Sequence, residues 1–400
     1  MTVVLLRKKK EDSVLRYHHW IFSGAIQKIY LDADNPYSEP QEGELVRVES
    51  SEGVALGVGH FQVGTIAVRM LAFGVERLPD DFYAHRLSLA YQLRKQMGLI
   101  RAQNDTYRLV HGEGDFLPGL VVDIYGDTAV VQAHSVGMHR SRFEIAQTLI
   151  KVVPSLRNVY YKSDDTLPFK AQIDGEKHGY LLGEGGEQPI WARENGLLFR
   201  IDWFVGQKTG FFIDQRENRC LLEHFANGRD VLNMFCYTGG FSVYALRGGA
   251  RSVHSVDVSE KAIALVDANV QKNFPNCANH QSFAMDAFEF MSDIRNRYDL
   301  IVLDPPAFAK HRDAIPNALK GYKRLNARAI ENIKAGGILF TFSCSQAVDK
   351  QQFRLAVFSA AAEVGRKVRI LHQLHQPSDH PINIYHPESE YLKGLVLYVE

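Results

Sequence analysis

The chain of 400 residues has few cysteines, and no two of them form a Cys-x-x-Cys pair. This scarcity argues against a zinc site and against a disulfide-stabilised scaffold, so we predict no metal ligands. No apolar run approaches the roughly 18–20 residues that span a bilayer. The N-terminal charges follow a very short apolar stretch, which is the reverse of a secretory signal. We therefore predict a cytoplasmic protein with no membrane partner.

The chain also has no excess of charge of either sign, because it contains 46 Lys and Arg residues and 46 Asp and Glu residues. Global charge therefore does not indicate a nucleic-acid partner, although a local basic patch acts within a Debye length of about 8–10 Å. The best basic cluster contains Arg7, Lys8, Lys9, Lys10 and Arg16, whose charges would suit contacts with nucleic-acid phosphates. A solvated, charged strand end explains the same cluster equally well.

No internal repeat or low-complexity linker divides the chain, yet three regions differ in their patterns. Residues 1–75 hold short apolar runs separated by glycine, which predicts a β-rich, barrel-like domain. Residues 76–190 mix helical and strand patterns and predict an α+β domain with a hairpin turn at Gly126-Asp127. Residues 191–400 alternate strands and helices, which predicts a mostly parallel, doubly wound sheet and an α/β fold class.

Four successive predicted strands in residues 191–400 are followed by glycines or by an aspartate. Adjacent glycines match a Gly-x-Gly-x-x-Gly pyrophosphate turn poorly, which favours a nucleoside ligand without phosphates, such as S-adenosylmethionine. We predict that Asp257 accepts the ribose hydroxyls and that Asp286 reaches the adenine edge. A simple turn or a helix cap explains each feature alone, but the ordered set predicts a class I methyltransferase fold. The predicted cofactor contacts here are Asn233, Phe235, Tyr237, Thr238, Gly239, Gly240, Phe241, Asp257, Asp286, Asp304 and Pro305.

The last of these strands runs into Asp304-Pro305-Pro306, which two prolines make stiff and extended. This loop presents a fixed set of acceptors, and Phe308 can stack on a base, which suits a planar base turned out of its strand. A rigid turn without a ligand is the alternative. We predict that Lys310, Arg312 and Lys323 line the RNA side of the cleft; a solvated helix face would also explain them.

Cys344 stands between two serines directly after the apolar run 337–342, so it should open on the same sheet edge as Asp304. Methylation of a pyrimidine at C5 requires a nucleophile that adds at C6, because C5 alone is not nucleophilic enough. We predict that Cys344 is this nucleophile, ionised with help from a helix N-terminus, and that Asp304 acts near N3. A small core residue is the alternative for such a cysteine.

Longer motifs carry a resemblance that runs nearly from end to end of the chain. They are Arg16 with His18-x-Trp20-Ile21-Phe22-Ser23-Gly24-Ala25, Tyr107-Arg108-Leu109-Val110-x-Gly112-Glu113, residues 208–216, Tyr237-Thr238-Gly239-Gly240-Phe241, Asp304-Pro305-Pro306-x-Phe308 and Thr341-Phe342-Ser343-Cys344-Ser345. Together they resemble the bacterial 23S ribosomal RNA large-subunit methyltransferase I family, which forms 5-methylcytosine.

This resemblance implies an N-terminal PUA domain, a central α+β domain and a C-terminal Rossmann-like methyltransferase domain. It implies S-adenosylmethionine as the cofactor, 23S ribosomal RNA as the partner and a homodimer as a possible assembly. The family's PUA domain favours RNA as the partner of the basic cluster Arg7, Lys8, Lys9, Lys10 and Arg16. It also implies that Cys344 is the nucleophile, that Asp304 is the acidic residue of its loop and that the segment with Gln215 lies over the cofactor. The chain departs from the family at His19, where Pro is usual, and at Cys236, where Ser is frequent. Ala307 replaces a frequent Lys, which removes one RNA contact.

Three functions remain open from the sequence. The first is an RNA cytosine-C5 methyltransferase that forms a covalent cysteine adduct. The second is a methyltransferase of exocyclic amines in RNA or DNA, which would use the Asp-Pro-Pro loop without a nucleophile. The third is a non-catalytic RNA-binding factor in ribosome assembly.

Overall fold

The computed structural model describes residues 1–31, 40–168, 173, 175–186, 188–309 and 311–400. These residues form two compact units. Unit 1 comprises Met1–Arg193, Ile201–Gly210 and Ser378–Ser389, and unit 2 comprises Glu194–Arg200, Phe211–Pro377 and Glu390–Glu400. No helix within the described ranges is long and apolar enough to cross a membrane. The domain boundaries at residues 75 and 190 stay predictions.

Unit 1 begins with a six-stranded sheet. Its strands are β1 (Thr2–Leu6), β2 (Trp20–Phe22), β3 (Ile26–Leu31), β4 (Leu45–Glu49), β5 (Ala55–Phe61) and β6 (Ile66–Phe73), with helix α1 (Asp12–Leu15) after β1. They lie in the order β2-β6-β5-β4-β1-β3, in which β1 and β4 are parallel and the other neighbours antiparallel. Valines of several strands, including Val4, Val46 and Val68, form one buried cluster. The prediction of a β-rich N-terminal region is confirmed.

A five-stranded sheet follows in the same unit. Its elements are α2 (Phe82–Gln96), β7 (Thr106–His111), β8 (Leu120–Tyr125), β9 (Thr128–Ala133), α3 (Val136–Arg140), α4 (Arg142–Val152), β10 (Asn158–Lys162) and β11 (His178–Leu182). The hairpin predicted at Gly126-Asp127 is confirmed, because Tyr125 pairs with Thr128 across the turn. Leu87 of α2 and Ile145 of α4 are fully buried in the core of this sheet.

The chain passes from unit 1 to unit 2 within a two-stranded hairpin, β12 (Ile190–Glu194) and β13 (Leu197–Ile201). Unit 2 then forms a seven-stranded sheet. Its strands are β14 (Asp230–Met234), β15 (Ser252–Asp257), β16 (His280–Ala284), β17 (Leu300–Leu303), β18 (Gly337–Ser343), β19 (Val368–His375) and β20 (Lys393–Val399). Its helices are α5 (Arg216–Ala226), α6 (Gly240–Arg247), α7 (Glu260–Asn273), α8 (Ala287–Phe290), α9 (Ile315–Asn332) and α10 (Lys350–Val364).

The order of these strands is β16-β15-β14-β17-β18-β20-β19. The first five run parallel, whereas β20 is antiparallel to both of its neighbours. Strand β17 shows why the sequence was informative: Ile301 and Leu303 lie in one core cluster, and Leu300 and Val302 lie in the other. Successive side chains of a strand point to opposite faces, so a strand covered on both faces is apolar throughout. The predicted doubly wound α/β sheet is confirmed.

Candidate active site

The turn after β14 contains three residues in the left-handed region, since φ is 58° at Phe235, 45° at Tyr237 and 76° at Gly239. A Cβ added at Gly239 would lie 2.9 Å from a methyl carbon of Val266 on α7. A Cβ at Gly240 would lie 3.0 Å from Cδ of Arg219 on α5. Both glycines are therefore needed for the turn to pack directly on the helices beneath it.

Polar side chains of two neighbouring strands hold this turn. The carboxylate of Asp257, at the end of β15, accepts hydrogen bonds from the backbone N–H groups of Tyr237 and Ser259, each at 3.0 Å. Asn233 is buried on β14, and its Nδ2 donates to Ser242 Oγ at 2.9 Å. Its Oδ1 has no hydrogen-bond partner among the described residues. Buried polar atoms are nearly always paired, so this oxygen marks a place for a ligand donor.

Other predicted cofactor contacts have different surroundings. The ring of Phe241 packs 5.7 Å from that of Phe342 in the core, so it is a core side chain. Thr238 is buried, and its carbonyl accepts from Asn269 Nδ2 at 2.8 Å. Asp286 is exposed and caps α8, because one of its oxygens accepts from the backbone N–H groups of residues 288 and 289 at 2.9 and 3.1 Å. These hydrogen bonds are those of a helix cap, which was the alternative explanation of Asp286.

Asp304 follows β17 and lies near a second carboxylate, that of Asp214. Burial and the charge of Asp214 raise the pKa of Asp304 to about 7, although a hydrogen bond from Gln215 and the charge of Arg219 oppose this shift. Gln215 is buried, and its Oε1 accepts from Asn218 Nδ2 at 2.6 Å, so its amide N–H faces Asp304. Near neutral pH, Asp304 is therefore divided between its neutral and charged forms.

The loop with Cys344 meets the Asp-Pro-Pro loop, since Cys344 Sγ lies 3.9 Å from the carbonyl oxygen of Pro305. Tyr322 of α9 holds the two serines that flank the cysteine. Ser343 Oγ donates to the tyrosine hydroxyl at 2.9 Å, and this hydroxyl lies 2.8 Å from Ser345 Oγ. This role of Tyr322 was not predicted from the sequence, because a buried aromatic residue on a helix has the pattern of an ordinary core residue.

The predicted ionisation of Cys344 by a helix N-terminus was wrong. The loop continues past the cysteine, and α10 begins only at Lys350. Burial, together with the carboxylates of Asp304 and Asp214, raises the pKa of Cys344 to about 12. The thiol therefore keeps its proton at neutral pH in the free protein.

Lys393 is a further residue that the sequence analysis missed. It begins β20, pairs with Ser343 of β18 and is 7 % exposed. Its Nζ donates to the carbonyl oxygen of Ser345 at 2.6 Å. Burial lowers the pKa of Lys393 to about 8. The sequence feature that could have revealed this residue is a lysine at the start of an otherwise apolar strand.

The predicted RNA contacts belong to both units. Phe308 packs on Tyr322 with ring centroids 4.6 Å apart, so one face of Phe308 is covered. Arg312 is exposed, whereas Lys310 lies outside the described residues. Lys323 forms an ion pair with Glu363 at 2.5 Å. It lines an open groove with five other basic residues, Arg295, Lys320, Arg324, Arg328 and Arg366. The predicted contacts of unit 1, all exposed, are Arg7, Lys8, Lys9, Lys10 and Arg16.

One group of side chains in unit 1 has the composition of a metal site. Ligand atoms of His18, His386 and Glu388 lie within 4.8 Å of one another. His18 Nε2 lies 3.3 Å from Glu388 Oε2, so a histidine–carboxylate hydrogen bond accounts for these two groups.

The acceptors at the carboxyl edge of the unit 2 sheet suit a cationic nucleoside without phosphates. Besides Asn233 Oδ1, Asp214 Oδ1 is buried without a hydrogen-bond partner in the described part of the chain. Asp257 and Asp304 add carboxylates at the ends of β15 and β17. S-adenosylmethionine carries an ammonium, a sulfonium and two ribose hydroxyls, so its donors and charges complement this set.

Comparisons with known proteins agree with this assignment of the cofactor. A family model for S-adenosylmethionine-dependent methyltransferases matches residues 175–387, and a model for PUA-like domains matches residues 4–73. A methyltransferase crystallised with S-adenosylhomocysteine superposes with a TM-score of 0.84 at 25% identity, with 100% of each chain covered. A Streptococcus mutans protein described as a SAM-dependent methyltransferase has the same fold, with a TM-score of 0.83 at 24% identity. S-adenosylmethionine is therefore the cofactor of this chain.

Curated relatives cover the whole chain. Ribosomal RNA large subunit methyltransferase I of Tolumonas auensis is 38% identical over 402 residues, with 99% of each chain covered. The enzyme of the same name from Aeromonas hydrophila is 38% identical over 401 residues, with 98% of each chain covered. At this identity and coverage, the chain belongs to the ribosomal RNA large subunit methyltransferase I family.

Proposed function

We propose that this protein methylates C5 of a cytosine in 23S ribosomal RNA through a covalent adduct between Cys344 and C6 of the base. The observation that carries the proposal is the meeting of two loops at the sheet edge, where Cys344 Sγ lies 3.9 Å from the Pro305 carbonyl beside Asp304. The names of the curated relatives support ribosomal RNA of the large subunit as the substrate.

The residues have distinct roles in this reaction. S-adenosylmethionine supplies an electrophilic methyl group when it is bound. The Cys344 thiolate forms a bond to C6, which makes C5 nucleophilic. C5 would then bond to the methyl carbon while the carbon–sulfur bond of the sulfonium breaks, and the electron pair of that bond would stay on the sulfur of S-adenosylhomocysteine. A base removes the C5 proton, the C6–S bond breaks and its electron pair returns to sulfur. Protonated Asp304 donates a hydrogen bond to N3 while negative charge develops on the ring.

The fixed loop around Cys344 favours this reaction over transfer to an exocyclic amine. An amine attacks the methyl group directly and needs no thiol. The serines on both sides of Cys344 are hydrogen-bonded to Tyr322, and the Ser345 carbonyl accepts from Lys393. So many restraints on one short loop are expected where a side chain must be aimed at a substrate.

Release of tritium from C5 tests the proposal. The full chain is incubated with S-adenosylmethionine and 23S ribosomal RNA transcribed with [5-³H]cytidine. We expect one tritium released for each methyl group transferred, at the nucleotide that mass mapping identifies. Methyl transfer without tritium release would indicate an amine acceptor. Binding of RNA without methyl transfer would favour the assembly-factor alternative.

Replacement of Asp304 by asparagine should change the pH dependence of methylation. If the protonated carboxyl acts at N3 while Cys344 reacts as the thiolate, wild-type kcat/KM rises with pH up to about 7 and then levels off, because Asp304, with a pKa of about 7, loses its proton as more thiolate forms. Asp304→Asn should remove this plateau, so that kcat/KM keeps rising with pH, and should slow the reaction by roughly 10²–10⁴-fold, the usual contribution of a general acid. A variant that keeps the plateau would assign it to another group.

The same variant, which should slow methylation, is expected to increase the stability of the fold at alkaline pH. A carboxyl group titrates near pH 3.9 in the unfolded chain. Because Asp304 titrates near pH 7 in the folded state, folding is penalised increasingly as the pH rises from about 4 to 7. Asp304→Asn should therefore raise Tm at pH 8 and leave it nearly unchanged at pH 4.

The phosphate contacts, the oligomeric state and the cellular location stay predictions. Phosphate contacts by the exposed cluster Arg7–Lys10 and by Arg16, a homodimer, and a cytoplasmic location are consistent with the proposed substrate. Sedimentation velocity of the full chain, with and without RNA, measures the oligomeric state directly.

A further inference from the structure

The thiol of Cys344 requires a nearby positive charge to act as a nucleophile. The two carboxylates that face it, Asp304 and Asp214, both favour the neutral thiol. A backbone hydrogen bond at Cys344 and the charge of Lys393 favour the thiolate, and Lys393 is the cation among them. A thiol with a pKa of about 12 is almost wholly protonated at neutral pH, so the interaction with this cation affects how much thiolate forms.

The position of Lys393 is set by the backbone of two strands. Lys393 and Ser343 are partners in the β18–β20 register, which places the lysine beside the residue that precedes Cys344. The Nζ atom is bonded to the carbonyl of Ser345, the residue that follows Cys344, at 2.6 Å. The ammonium is thus attached to the same short loop as the thiol and is shielded from water.

The other charged groups around Lys393 have partners of their own. Glu390 and Asp349 favour its charged form, and Lys350 opposes it. Glu390 forms an ion pair with Lys350 at 2.5 Å, and Asp349 caps α10 by accepting from the backbone N–H of Gln352 at 2.8 Å. A new negative charge on Cys344 would therefore find in Lys393 an ammonium that no carboxylate neutralises through a direct contact in the described structure.

We propose that Lys393 is the positioning residue that holds the Ser-Cys-Ser loop and balances the charge of the Cys344 thiolate. This inference rests on the proposed function, in which that thiolate is the nucleophile. When it forms, the S–H bond breaks, the electron pair stays on sulfur and the proton passes to water. The ammonium of Lys393 keeps its protons. The same charge pair forms again when sulfur leaves C6 at the end of the reaction.

Alkylation of Cys344 by iodoacetamide tests this role without RNA. The ligand-free full chain is alkylated between pH 6.5 and 10, and Cys344 and the exposed Cys220 are followed by peptide mass spectrometry. We expect Lys393→Met to slow alkylation of Cys344 about tenfold below pH 8, which corresponds to a shift of about one pKa unit. The ratio of wild-type to variant rates should fall towards one above pH 8, because Lys393 itself then loses its proton.

Two further variants separate charge from folding. Lys367→Met removes an exposed lysine at the opposite end of the β19–β20 pair and should alkylate like the wild type. Lys393→Arg keeps a cation that does not titrate, so its rate advantage over Lys393→Met should persist up to pH 10. Equal rates in Lys393→Met and wild type, or a ratio that does not change with pH, would overturn the proposal. If the methionine variant unfolds, alkylation of buried Cys236 will reveal the unfolding. The pH profile of the arginine variant then tests whether the charge at residue 393 promotes alkylation of Cys344.

This experiment is independent of the C5 assignment. A normal dependence of alkylation on Lys393 together with methylation that releases no tritium would refute the C5 reaction and retain the charge pair. Tritium release without any effect of Lys393 on alkylation would refute the charge pair and retain the C5 reaction.

Discussion

Replacement of Cys344 by alanine is expected to abolish methyl transfer to RNA and to leave S-adenosylmethionine binding unchanged. The proposed reaction has no route to C5 without a nucleophile at C6, so the rate should fall by roughly 10⁴–10⁶-fold, as for loss of other enzymatic nucleophiles. The predicted cofactor contacts on β14, in the turn after it and at the end of β15 lie on other strands than the Cys344 loop, so we expect their geometry to be kept without the thiol. Methyl incorporation and calorimetric titration with S-adenosylmethionine measure the two effects.

The matched control is Cys277→Ala. Cys277 is also a free, partly exposed cysteine, but it lies after α7, where its Sγ is 3.2 Å from Asn279 Oδ1. This variant should methylate RNA at the wild-type rate. Full activity of Cys344→Ala would contradict the covalent mechanism and would favour transfer to an amine.

Replacement of Glu194 by glutamine is expected to lower the free energy of unfolding by about 3–5 kcal/mol, the usual cost of breaking a buried ion pair. Glu194 and Arg219 are 0 % and 3 % exposed and form two hydrogen bonds, at 3.0 and 2.7 Å. Tyr244 also donates to Glu194, at 2.9 Å. The glutamine would leave the guanidinium buried without a counter-charge. Urea unfolding followed by circular dichroism measures the loss.

This ion pair also supports the glycine turn after β14, where cofactor contacts are predicted, because Cδ of Arg219 lies against Gly240. We therefore expect Glu194→Gln to weaken S-adenosylmethionine binding as well. The control is Glu223→Gln, which removes an Arg247 pair of similar geometry at 2.6 Å whose side chains are 25 % and 31 % exposed. A partly solvated pair contributes about 0–1 kcal/mol, so equal losses in both variants would contradict a special role of the buried pair.

Local patterns allowed much of unit 2 to be predicted from the sequence. Serine is a preferred helix-cap residue, and Ser259 caps α7 by accepting from the backbone N–H of Ala262 at 3.3 Å. The alternation of strands and helices over residues 191–400 was predicted because apolar runs bounded by polar residues are local signals, and β15 and β16 follow this alternation. The same local evidence left Asp286 undecided between a ligand contact and a cap, since both explanations place an aspartate directly after a strand.

The sequence by itself determined the family, the α/β class of unit 2 and the chemical types at the sheet edge: a thiol, carboxylates and a glycine turn. Tertiary structure decided their charge states. Asp214 and Lys393 are distant from Cys344 along the chain, yet they act on its thiol in opposite directions, and burial acts on both the thiol and the lysine. A pKa depends on neighbours in space and on exclusion of water, and a sequence motif predicts neither of them. For that reason the helix-terminus prediction for Cys344 was wrong, and the cation beside it emerged only from the pairing of β18 with β20.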